Sequence, residues 1–162
     1  MRHLAIGGLV SLALTLATAV LSAWPSWQSL PEDSALIRVS FSVSGARNCR
    51  DRTAEELAAL PRNMRRKRVC ERRRSPVRLS IGIDGATLFD AAIPPGGLSG
   101  TGPSRVYRRF EVPAGDHRIT LRLQTDPAAP DKAVTAVHEV TLDPGQNMAI
   151  DFDTTTGSFV LY

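Results

Sequence analysis

Two cysteines and a run of arginines are the residues whose types and spacing could do chemistry in this chain. Cys49 and Cys70 are its only cysteines. They lack the C-x-x-C spacing of a redox motif. Two thiols are also too few for a structural zinc site, which usually takes four Cys/His ligands. The chemistry left to them is a disulfide. It would close a loop of about 22 residues and stabilise by about 3 kcal/mol on the chain-entropy model. Two free thiols are the alternative, in a reducing compartment.

The arginines surround Cys70. From Arg62 to Arg74, eight of thirteen residues are basic: Arg62, Arg65, Arg66, Lys67, Arg68, Arg72, Arg73 and Arg74. Residues 47–78 carry a net charge of +8 and the rest of the chain −4, so the overall +4 describes a dipolar molecule. Guanidinium groups suit planar, bidentate contacts with carboxylate or phosphate. Arg65–Arg68 looks like a nucleic-acid patch, but the interleaved aromatics of a stacking surface are missing. An exported chain would not meet nucleic acid, so no nucleic-acid partner is expected.

Other reactive residues offer less. His117 stands beside Asp116 at a turn and is expected to face solvent. His138 shares the apolar face of its strand and is expected to be a core or edge histidine with a satisfied hydrogen bond. Asp151 and Asp153 lie two apart on one strand, on the same face, where solvated carboxylates are the usual outcome. The Gly96–Gly102 stretch lacks the Gly-Lys-Ser/Thr ending of a phosphate loop and is read as a flexible loop between strands. No Gly-x-Ser-x-Gly is present. The expectation is a protein without catalytic residues, metal or cofactor.

The elements that must position these residues begin with an uncharged segment, residues 4–21. It is long enough to cross the hydrocarbon as a helix. Trp24 and Trp27 follow where an interfacial belt would sit, and Pro25 stops the helix. Residues 1–23 are read as a retained membrane anchor, with a cleaved signal peptide as the alternative. Either reading places the bulk of the chain across the membrane, in the oxidising space that the cysteines need. For a bacterium that is the periplasm, with a single span in the inner membrane or, after cleavage, a secreted domain.

Residues 24–34 read as a linker, and 35–162 as one domain of roughly 130 residues, a size that can bury a core. Ala35–Val43 alternates apolar and polar residues and predicts a half-buried strand. Further strands are predicted at Pro76–Ile83, Thr87–Ile93, Val106–Val112, His117–Thr125, Ala133–Leu142, Asn147–Asp153 and Ser158–Tyr162. Asp84-Gly85 is a hairpin turn signal. Thr53-Ala-Glu-Glu56 has the form of a capping box and predicts a short helix ended by Pro61. The Arg-rich stretch shows no apolar period and is read as a long connection within an insertion spanning 45–75. The fold class is mainly β: an antiparallel β-sandwich of about eight strands, with one short helix in the basic insertion.

The stretch Phe110–Leu123, F-E-V-P-A-G-D-H-R-I-T-L-R-L, resembles the VPAG-x-H hairpin of PEGA-like and related carbohydrate-binding-like or transthyretin-like sandwiches. The likeness covers about fourteen residues. It implies a small exported β domain of the kind often attached to membrane proteins, and it implies no functional residue.

Together these readings predict a non-enzymatic, membrane-anchored accessory or assembly protein. Its basic insertion would dock an acidic face of an inner-membrane protein complex or anionic lipid head groups. The alternative is a binding module for a polyanionic envelope glycan or lipid.

Overall fold

A computed structural model describes residues 2–23 and 30–162. Helix α1, Arg2–Ala23, has 22 residues. Its Ala5–Ser22 window has a mean hydropathy of 2.0, and its described side chains all lie exposed. At 1.5 Å per residue it is about 33 Å long, enough for a bilayer core. Its hydroxyls do not oppose such a setting: Thr15 and Thr18 donate to the carbonyls of Ser11 and Leu14, both at 2.8 Å. One N-terminal helix is therefore long and apolar enough to be a membrane span or a signal sequence. Trp24, Pro25 and Trp27 lie outside the described residues.

Glu32–Tyr162 forms a separate compact unit. Its strands are β1 (Ser34–Val43), β2 (Arg47–Asp51), β3 (Arg68–Arg74), β4 (Val77–Ile83), β5 (Ala86–Ile93), β6 (Ser104–Pro113), β7 (Gly115–Gln124), β8 (Val134–Leu142), β9 (Asn147–Asp153) and β10 (Ser158–Leu161). Eight of them make two four-stranded sheets, ordered β10-β9-β1-β6 and β5-β4-β7-β8. These eight match the predicted strands. The alternating residues share a single core. Ile37, Val39 and Phe41 of β1, Leu79 and Ile81 of β4, Leu121 of β7 and Ile150 of β9 all belong to it. Phe41, Phe152 and Phe159 add a tilted and edge-on aromatic cluster, with ring centroids 5.1–6.2 Å apart.

Three features depart from the sequence reading. The sandwich is antiparallel except for one pair: β1 runs parallel to β9, with Leu36–Val39 beside Asn147–Ile150. Phe110–Leu123 is a corner and not a hairpin, because β6 pairs with β1 in one sheet and β7 with β4 and β8 in the other. The chain turns between the sheets at Ala114, whose N–H donates to the Asp33 carbonyl at 2.8 Å, and at Gly115, whose φ of 132° favours glycine. The third is the insertion: β2 and β3 pair as a separate two-stranded ribbon, so the unit has ten strands.

That ribbon is an arm on the crossover from β1 to β4. At its neck the two legs nearly touch. Ser75 N–H donates to the Ala46 carbonyl and Ala46 N–H to the Thr125 carbonyl, both at 2.8 Å. A Cβ on buried Gly45 would lie 2.0 Å from the Ser75 carbonyl oxygen, so only glycine fits there.

Candidate functional site

The arm carries all eight of the predicted cations. Arg-rich sequence without an apolar period gives no burial to drive strand formation, and neither β2 nor β3 buries a residue. Other forces hold the arm. Cys49 and Cys70 face each other across the ribbon and are joined by a disulfide, with Cα atoms 3.9 Å apart. Beyond the ribbon lies helix α2, Ala54–Ala58, opened by the predicted capping box. Thr53 accepts from the Glu56 N–H at 3.3 Å, and Glu56 accepts from the Thr53 N–H at 3.0 Å. Arg50 of β2 then grips both oxygens of Glu56, at 2.7 and 2.9 Å. The Arg50 hydrogen bond and the Thr53 N–H hold the Glu56 carboxyl down at about 2. A turn of 3-10 helix, Arg62–Met64, follows the Pro61 break.

The structure divides the eight cations by what they touch. Arg62, Arg66 and Lys67 are exposed, and their side chains make no hydrogen bond among the described residues. Arg65 curls back on α2 and donates to the carbonyls of Leu60 at 2.9 Å and Ala58 at 3.4 Å, meeting acceptors left open at the helix end. Arg72 is exposed. Arg74 is half-buried at the neck. Its Nε donates to the Thr101 carbonyl and its Nη1 to the Gly45 carbonyl, both at 3.0 Å. Arg74 therefore ties the arm to the body. Arg73 lays its stem on Gly100, where a Cβ would come within 3.2 Å of its Cγ.

Among the described residues, none of the eight lies within 4.0 Å of a carboxylate. The acids of the rest of the chain do not pair with the block among the described residues. Arg68, Arg73 and Arg74 converge with Arg47 on a cleft of about 580 Å³ at the base of the arm, closed on the other side by Asp126–Ala128. Sequence reasoning did not single out Arg47. It sits outside the dense run, and only the pairing of β2 with β3 sets it opposite Arg74.

The Gly96–Gly102 loop, read as flexible, is instead tied to itself. Gly102 N–H donates to the Gly96 carbonyl at 2.9 Å and Gly100 N–H to the Gly97 carbonyl at 3.0 Å. Its Gly100 carbonyl accepts from the Arg74 N–H at 2.9 Å.

His117 does not face solvent. Its side chain is 11% exposed, with Nδ1 2.6 Å from Asp84 Oδ2 and Nε2 2.8 Å from the Pro113 carbonyl. Both partners are acceptors, and only the doubly protonated ring donates to both. The hydrogen bond to Asp84 raises the His117 pKa above its ordinary 6.5. The turn signal missed this because Asp84 is 33 residues away. His138 lies half-buried on β8, as predicted, but its buried Nε2 finds no hydrogen-bond partner among the described residues. Asp153 is spent on the turn before β10, accepting from Thr155 N–H at 2.7 Å and Thr156 Oγ1 at 2.9 Å. Asp151 is exposed. Among the described residues no three His, Cys, Asp or Glu side chains gather as metal ligands would.

Compared with family models and with curated proteins, the chain has no match.

Proposed function

We propose that this protein is a membrane-tethered accessory or assembly factor whose basic arm docks the acidic face of a neighbouring membrane protein. In this reading α1 is a retained single span of a bacterial inner membrane, and the β domain lies in the periplasm. The arm's exposed, unpaired cations carry the proposal. A protein that used these charges for its own stability would pair them, as Arg50 and Arg78 are paired with Glu56 and Asp90. Opposed patches raise encounter rates and fix orientation, and a tether raises the effective concentration. The oxidising side of the membrane suits an arm braced by Cys49–Cys70. The resemblance of Phe110–Leu123 to exported sandwich domains agrees with this location.

The test is a mild-detergent pull-down of the full chain, repeated with Arg62, Arg66 and Lys67 all changed to Glu. These three side chains hold nothing within the arm, so the variant should fold normally and lose a specific membrane partner. Retention of that partner by the triple variant would sink the docking reading.

A further inference from the structure

The cleft at the base of the arm has a different character from the arm's far end. It is concave and of a size that holds a small molecule. Four arginines, Arg47, Arg68, Arg73 and Arg74, are among its lining residues, with two acids, Glu71 and Asp126. Both acids have other hydrogen-bond partners: Glu71 Oε1 accepts from Asn48 at 3.3 Å, and Asp126 Oδ1 accepts from the Ala128 N–H at 3.0 Å. None of the four arginines has a carboxylate within 4.0 Å among the described residues. Arg47 and Arg74 also stand directly opposite each other across the ribbon, where like charges destabilise a strand pair.

Arg74 is held by the Thr101 and Gly45 carbonyls through Nε and Nη1, and no protein acceptor takes its Nη2 among the described residues. Arg73 lies along Gly100, which with φ 63° and no side chain lets the stem approach closely. The cleft thus has one guanidinium held in place, Arg74, and a surplus of two positive charges over its two carboxylates, neither of which pairs with an arginine among the described residues.

We propose that this cleft binds a phosphate group, carried by a small soluble molecule or by a lipid head group. A phosphomonoester brings about −1.5 to −2 charge at neutral pH, which matches the surplus, and three acceptor oxygens for forked guanidinium donors. A lone carboxylate brings half that charge and fewer oxygens. The inference does not rest on the docking reading, because Arg62, Arg66 and Lys67 do not line the cleft.

The test is calorimetric titration of the full chain in neutral-detergent micelles at physiological salt. Pyrophosphate and glycerol 3-phosphate probe the soluble source, and micelles doped with phosphatidic acid probe the lipid source. Saturable binding is expected from at least one arm, and the arm that binds identifies the source. Changing Arg47 and Arg73 together to Gln should weaken it at least about tenfold, since hydrogen bonds to charged groups are the stronger kind. Arg73→Lys keeps the charge but loses the fork, and gives a milder substitution with an intermediate loss. The Arg62, Arg66, Lys67 to Glu variant should keep most of the affinity. Unchanged melting and an intact Cys49–Cys70 bridge in each variant establish that the fold is preserved. The proposal is overturned if neither source binds, if the Arg47 and Arg73 double variant binds like the parent, or if citrate binds as tightly as pyrophosphate.

Discussion

Along β4 and β7 of the body alternate side chains are buried, and Leu79 and Leu121 are fully so; along β2 and β3 of the arm none is. Yet both regions form regular paired strands. In the body, hydrophobic burial sets the register, because a one-residue slip would turn every apolar side chain outward. In the arm the register rests on a covalent bridge between directly opposed residues, on a neck of backbone hydrogen bonds, and on Arg74. An isolated two-stranded ribbon is marginal in water. The difference shows how a chain can hold a dense set of like charges in fixed geometry. It removes them from the core and replaces burial with a few specific links.

The comparison can be tested from the body side first. Leu121→Ala removes a fully buried side chain from the shared core. It should cost about 2–5 kcal/mol of global stability in chemical denaturation, while the arm's bridge still forms. A cost below about 1 kcal/mol would mean that the core is not what holds the sheets together.

Changing Cys49 and Cys70 together to Ser addresses the arm. The expected loss is about 3 kcal/mol, confined to the arm. Hydrogen exchange should quicken at the amides of residues 47–74 and stay slow in β4 and β7. Loss of protection throughout the body would show that the two regions are one cooperative unit.

The smallest effect lies at His117, which pins the β6–β7 corner to the β4–β5 turn. Folding raises its pKa, so its contribution is complete below about pH 6.5 and fades as the pH rises through the higher folded value. The melting temperatures of the parent and His117→Gln should therefore differ most in mild acid and converge in base. Asp84 sets the acid limit. Its own pKa is lowered by the Arg118 N–H and by His117, so the pair weakens only when the pH falls below the ordinary carboxylate value of 3.8. A gap that widened toward alkaline pH would contradict the assignment of His117 as a doubly protonated donor.

Much of the body was legible because its physics is local. Period-two alternation, as in Ala35–Val43 and His117–Thr125, together with the turn signals between strands placed all eight of its strands, Asp84-Gly85 marked a tight hairpin turn, with φ of 49° and 83°, and Thr53–Glu56 marked the start of α2. The bridge was legible by elimination among uses for two cysteines. The arm's strands were not, since Arg68–Arg74 has no apolar period and its pairing depends on Cys49 and on the neck. The corner at Ala114–Gly115 read as a hairpin because a tight turn looks alike whether the chain returns to the same sheet or enters the other. His117 was misplaced for a related reason: its partners are a carboxylate and a carbonyl brought together only by that corner.

The sequence by itself marked the alternating apolar residues of the core, where the chain turns, two cysteines suited to a bridge, and a membrane-length helix ahead of the domain. These follow from side-chain chemistry read at spacings of a few residues. Only the tertiary structure decided how the basic block is divided. It turned Arg65 to a helix end and Arg74 to the neck, left the side chains of Arg62, Arg66 and Lys67 without a hydrogen bond among the described residues, and set Arg47 opposite Arg74 in one cleft. The reason is distance along the chain. Arg47 and Arg74 are brought together by the pairing of β2 with β3, and charge alone carries no information about pairing.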